Sequence, residues 1–136
     1  MAQARSSRVR TMPAYYLRHL ADEIRGMGVD VERWLELSRL TEKQLADPAL
    51  AIPHATFHKL FLNAAAMARE PALGLFVGER LAGSTHGIVG YATLNSGTLR
   101  EAVELLERYM PLRMPLLAVS HETRRSEVRV RVAEVY

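Results

Sequence analysis

The chain contains no cysteine. That excludes a disulfide scaffold, a thiolate zinc site and a cysteine nucleophile, and it suits a reducing compartment. No apolar run approaches the ~20 residues a membrane-spanning helix needs. The basic N-terminus MAQARSSRVR leads into no long apolar segment of the secretory kind. These absences lead to the expectation of a cytoplasmic protein with no membrane partner. Charge of one sign is also scarce. The net charge is +3, with Arg5, Arg8 and Arg10 near the start, Arg124, Arg125, Arg129 and Arg131 near the end, and near balance between. A nucleic-acid-reading surface carries a denser basic stripe and a recognisable reading element. Direct nucleic-acid binding by the two arginine clusters is therefore a minor reading.

What is present is enough for one ordinary domain: 136 residues, 49% hydrophobic, a length that buries a single core without staples. Residues 1–11 form a polar, arginine-rich arm expected to be flexible. A helix is expected to start near Pro13 and to carry Leu17, Leu20, Ala21, Ile24 and Met27 inward, with Asp22 and Glu23 toward solvent and Gly28 as its stop. Asp30 is placed to cap a short helix with Trp34, Leu35 and Leu37. Thr41 and Gln44 have capping-box spacing. Pro53 opens a helix with Phe57, Leu60, Phe61 and Ala64 on one face, broken at Glu70-Pro71. The next helix, over 72–82, turns Leu73, Phe76, Val77 and Leu81 inward.

The stretch STHGIVGYATLNSGTLREA, residues 84–102, reads as a short apolar helix, a turn at Asn95-Ser96-Gly97 and a second capping box at Thr98 and Glu101. The following stripe, Leu99, Ala102, Val103, Leu106 and Tyr109, is expected to end at Pro111. After Pro115 the period changes. LLAVSH is β-prone, and Val128 to Val132 alternates as a half-buried strand does. The four to six residues between these runs suit a hairpin loop. The fold class is therefore α+β: a mostly helical first two-thirds, then a small antiparallel sheet.

His86-Gly87 with Gly90-Tyr91 matches no phosphate-binding loop, because the glycine spacing is wrong and no strand precedes it. Two readings stay open. Gly87 and Gly90 let a short helix pack closely, anchored by Tyr91, or His86 and Tyr91 present polar tips to a cavity. Phe57, Phe61, Tyr16 and Trp34 are core aromatics by default, and candidates for the same pocket lining. His54 and His58 share a helix face but have no evident third ligand, so a metal site is not expected. No nucleophile elbow or carboxylate pair marks an enzyme, and no cofactor is implied.

The segment from Leu73 to Leu117 carries, in order, Leu73-Gly74-Leu75, Gly78-Glu79-Arg80, His86-Gly87, Gly90-Tyr91-Ala92, Thr98 to Ala102 and Arg108-Tyr109. This combination resembles the N-terminal arabinose-binding-like domain of AraC-type bacterial transcription regulators. The likeness extends over about residues 12–135 and is densest from 73 to 113. It implies a regulatory domain over 12–136, incomplete at its C-terminus, that senses a small-molecule effector or forms a homodimer. It also implies a C-terminal helix-turn-helix domain outside these 136 residues, through which alone promoter DNA would be bound. Leu99, Val103, Leu106 and Tyr109 are the expected dimerisation stripe. The alternative is a stand-alone interaction or dimerisation module with no small-molecule ligand.

Overall fold

The chain's computed structural model describes residues 10–135. The elements run β1 (Thr11–Pro13), α1 (Tyr16–Gly26), α2 (Val31–Glu36), α3 (Glu42–Leu45), β2 (Ala51–Pro53), α4 (His54–Ala68), α5 (Leu73–Arg80), a 3-10 turn (Gly83–His86), α6 (Gly87–Leu94), α7 (Leu99–Arg113), β3 (Leu117–Arg124) and β4 (Glu127–Glu134). This is an α+β chain. It divides into two compact units, the first ending at Arg80 and the second beginning at Leu81.

In the first unit, α1 buries Leu17, Leu20, Ala21 and Ile24. Gly28 ends it with φ 83°. The Gly28 and Val29 N–H groups return to the Arg25 and Ile24 carbonyls, both at 3.0 Å, the paired bonds of a Schellman ending. Asp30 caps α2, its Oδ1 accepting from the Arg33 N–H at 3.0 Å. Thr41 and Gln44 cap α3 reciprocally. Trp34 and Leu35 are core, whereas Leu37 is 52% exposed. In α4, Leu60 and Ala64 are buried.

Several expectations are corrected here. The chain around Pro13 is strand: Met12 pairs with Ile52 in a three-residue antiparallel ladder, and helix begins only at Tyr16. Short edge strands tolerate proline, because its missing N–H can face away from the partner. Thr11, assigned to the flexible arm, lies in this ladder; residues 1–9 of that arm lie outside the described residues. Glu23 is buried rather than solvent-facing, and its carboxylate meets Arg80 Nε at 2.5 Å. A buried carboxylate is tolerable only with such a partner, and Arg80 comes from α5, 57 positions along the chain (80 − 23). In α5, Leu73 and Val77 are inward, but Phe76 is 41% exposed.

In the second unit, α7 opens on the Thr98–Glu101 capping box and runs through Pro111 to Arg113. The expected stop at Pro111 is not seen: α7 continues to Arg113, although proline lacks the N–H that would bond the carbonyl of the preceding turn. β3 and β4 pair antiparallel from Leu117↔Glu134 to Arg124↔Glu127. The loop between them is two residues, shorter than expected, with Arg125 at φ 49°. α7 is tied to β3 by Arg100 Nη1 donating to Thr123 Oγ1 at 3.3 Å and by the Glu107–His121 pair at 2.5 Å. β4 is not half-buried as its alternation suggests. All eight of its residues are exposed, because the side chains tying α7 to the sheet fall on β3.

Candidate functional site

The site is built where α6 meets α7 in the second unit. Gly90 makes the approach possible. A Cβ at Gly90 would collide with the Gly83 carbonyl oxygen, so α6 lies directly on the backbone of the 3-10 turn. Gly87 has a different task from the one expected of it. Its φ is 63°, a conformation L side chains rarely adopt, and it lets the chain swing from the turn into α6. Tyr91 does not anchor the helix, being 58% exposed.

Between these elements lies a pocket of about 430 Å³, within the range of small-molecule sites. His86 stands at its edge, α6 contributes Ile88, Val89 and Ala92, and α7 contributes Leu105, Tyr109, Leu112 and Arg113. No Asp or Glu lines it. Burial, and secondarily the Arg113 guanidinium, hold the His86 pKa below the ordinary histidine value. The imidazole is therefore kept neutral near neutral pH.

This depression has a testable consequence. The unfolded chain takes up a proton at His86 before the folded chain does. Stability is then lost as pH falls through the ordinary histidine value, until the lower folded value is passed. The melting temperature of His86→Gln is expected to fall less than wild type between about pH 7.5 and about pH 5. Equal slopes in a thermal melt series would contradict this. Arg113 is the charged group facing His86 across the pocket.

A second, polar groove of about 860 Å³ runs between the end of α6, α7 and β3, lined by Asn95, Glu101, Glu104, Glu107, Arg108 and His121 among others. Its carboxylates are partly committed. Glu101 accepts from the Gly97 and Thr98 N–H groups, and Glu107 holds His121. A smaller apolar recess of about 180 Å³ is lined by Leu99, Val103, Val128 and Val130.

The candidate residues fall into separate groups. His86 and Tyr109 line the apolar pocket. Tyr91 lines none of these three recesses. Tyr16 and Trp34 belong to the core of the first unit, the latter with its indole N–H on the Leu60 carbonyl at 2.9 Å. Phe57 and Phe61 are half-buried on α4. In the dimerisation stripe, Leu99 is 81% exposed and Leu106 half-buried, while Val103 is buried. His54 and His58 stack with ring centroids 6.0 Å apart. Among the described residues no three His, Asp or Glu side chains gather as metal ligands.

Sequence reasoning missed Leu105, Leu112 and Arg113. The signal was available: Leu105, Tyr109 and Leu112 are also spaced as one helical stripe, competing with the stripe over 99–109.

The pocket is mostly apolar, with His86, Tyr109 and Arg113 as the polar side chains in its lining. Residues 28–136 match the family model of the N-terminal arabinose-binding domain of AraC transcription regulators. The chain belongs to that family. It is 35% identical over 98 residues, 72% of its own length, to the ornithine utilization regulator of Pseudomonas aeruginosa. It spans 29% of that relative's length. Among the described residues no single helix is long and apolar enough to cross a membrane.

Proposed function

We propose that this chain is the regulatory part of a transcription regulator, in which an effector seated between α6 and α7 sets the state of a helix-turn-helix domain C-terminal to these residues. The observation that carries this reading is the apolar pocket bounded by His86 and Arg113 in a member of this regulator family. An effector acts by preferring one arrangement of the domain, and shifts the equilibrium by no more than that preference. The α7 end of the pocket is contiguous with an exposed apolar surface at Leu112, 81% exposed, so occupancy can alter what α7 offers to a second copy. Homodimerisation through α7 is part of this proposal.

A thermal-shift screen of small molecules tests it. A ligand at a hundredfold excess over its Kd stabilises the folded state by about 2.7 kcal/mol, a rise of several degrees. Ala92→Phe, which places a ring in the pocket from the exposed face of α6, is expected to abolish that rise. The second reading, an interaction module without a ligand, is favoured by the apolar surface at Leu99, Val128, Val130 and Val132. It predicts no ligand-induced rise, together with a dimer that Leu99→Glu dissociates in sedimentation velocity.

A further inference from the structure

We infer that the pocket between α6 and α7 takes an amphipathic anion: a monocarboxylate with an apolar body, its carboxylate held between the Arg113 guanidinium and the first turn of α6. This rests on the proposed effector role of the pocket and narrows it to a ligand class.

The walls select the body of the ligand. Val89, Leu105, Leu112 and the ring of Tyr109 present hydrocarbon, and burying apolar surface against them gives non-directional affinity. The charges select the head. Arg113 is the single permanently charged side chain in the lining. With no Asp or Glu there, an ammonium would meet a cation and no counter-charge.

Local geometry concentrates positive potential at one end. No side chain caps the N-terminus of α6, and a helix N-terminus carries roughly half a positive charge. Gly87 is its first residue, and a Cβ placed there would sit 4.0 Å from Arg113 Nε. The guanidinium therefore lies beside the positive end of the helix, with only a glycine between. Two positive ends side by side repel each other until an anion lies between them. A carboxylate there accepts from both, and such charge-assisted bonds are roughly twice as strong as neutral ones. Arg113 also interacts within the protein. Its five N–H donors in a planar fork serve that contact and a carboxylate together. His86 supplies the neutral rim, so the head-group end does not gain a second cation that would require an additional anion.

The test is calorimetric titration of the full chain with octanoate, octanol, octylamine and ornithine. Octanoate is expected to bind about tenfold or more tightly than octanol, the scale of a hydrogen bond to a charged group. Arg113→Gln is expected to erase that difference while octanol affinity changes less than about twofold, since the walls stay intact. Arg113→Lys retains the charge and is expected to keep part of the preference. The His86 ring pKa, followed by NMR, is expected to rise when octanoate saturates the site, which loss of packing alone would not produce. Equal binding of octanoate and octanol, or tighter binding of octylamine or ornithine, overturns the carboxylate class and leaves an effector pocket standing. Octanoate binding that survives both Arg113→Gln and Ala92→Phe overturns the location. If none of the four probes binds, the inference fails, and the effector reading is then decided by the broader thermal-shift screen.

Discussion

Gly90→Ala is expected to destabilise the second unit by about 3 kcal/mol, the upper part of the range for overpacking a close contact. Alanine ordinarily favours a helix over glycine by about 1 kcal/mol, so propensity alone predicts the opposite sign. The contact decides. The added methyl would occupy the position of the Gly83 carbonyl oxygen, with the His86 Cβ 3.2 Å away. A backbone carbonyl cannot rotate aside as the end of a side chain can. α6 must lift from the turn, and that movement opens the pocket between His86 and α7. Gly78→Ala is the internal control. It lies within α5, and nothing stands within 4 Å of its prospective Cβ, so the same substitution there is expected to be neutral or stabilising by up to about 1 kcal/mol. Urea unfolding of both variants, with hydrogen exchange to localise the loss, separates the two. Equal stability of Gly90→Ala and wild type would show that α6 does not depend on this approach.

Trp34→Ala is expected to cost about 3–5 kcal/mol in the first unit. Trp34 is fully buried, and its indole N–H donates to the Leu60 carbonyl in the middle of α4. The ring fills the space between α2 and α4, and the hydrogen bond fixes its orientation. Trp34→Phe splits the two contributions. It keeps an aromatic ring but removes the donor, and is expected to cost about 1–3 kcal/mol for the smaller ring and the lost bond. Circular dichroism is the suitable probe, because Trp34 is the only tryptophan and its removal takes the indole fluorescence with it. A Trp34→Ala cost below about 1 kcal/mol would mean that the site collapses around the loss.

Trp34 depends on a partner remote in the chain, Leu60, and distance along the chain also separates what was legible in the sequence from what was not. The caps at Asp30, Thr41 with Gln44, and Thr98 with Glu101 were readable because cap and capped N–H are three residues apart. The apolar spacing of α1 and the stop at Gly28 were readable for the same reason. Glu23 was misread because its partner Arg80 arrives from α5, and periodicity carries no information about a salt bridge between helices. Pro13 was misread because proline suits both a first helical turn and a strand edge, and the strand partner 51–53 decided between them.

The candidate pocket divides in the same way. His86 and the paired glycines drew notice as a cluster. That Gly90 serves close packing while Gly87 serves a positive φ was not visible, since both are simply glycine in the sequence. Arg113 lay beyond a proline taken as the helix end, so its place beside Gly87 could not be seen until α7 was known to run through Pro111.

The sequence by itself determined the α+β class, the caps at Asp30, Thr41 and Thr98, the stop at Gly28, the hairpin and the resemblance to a regulator family. All of these depend on local chemistry or on residue order along the chain. Only the tertiary structure decided which apolar residues face inward, that β4 stays exposed, that Glu23 is buried on Arg80, and that α6 and α7 enclose an apolar pocket with one cation at its end. Each of those depends on which distant segments meet, and a helical or strand period is the same whatever lies across from it.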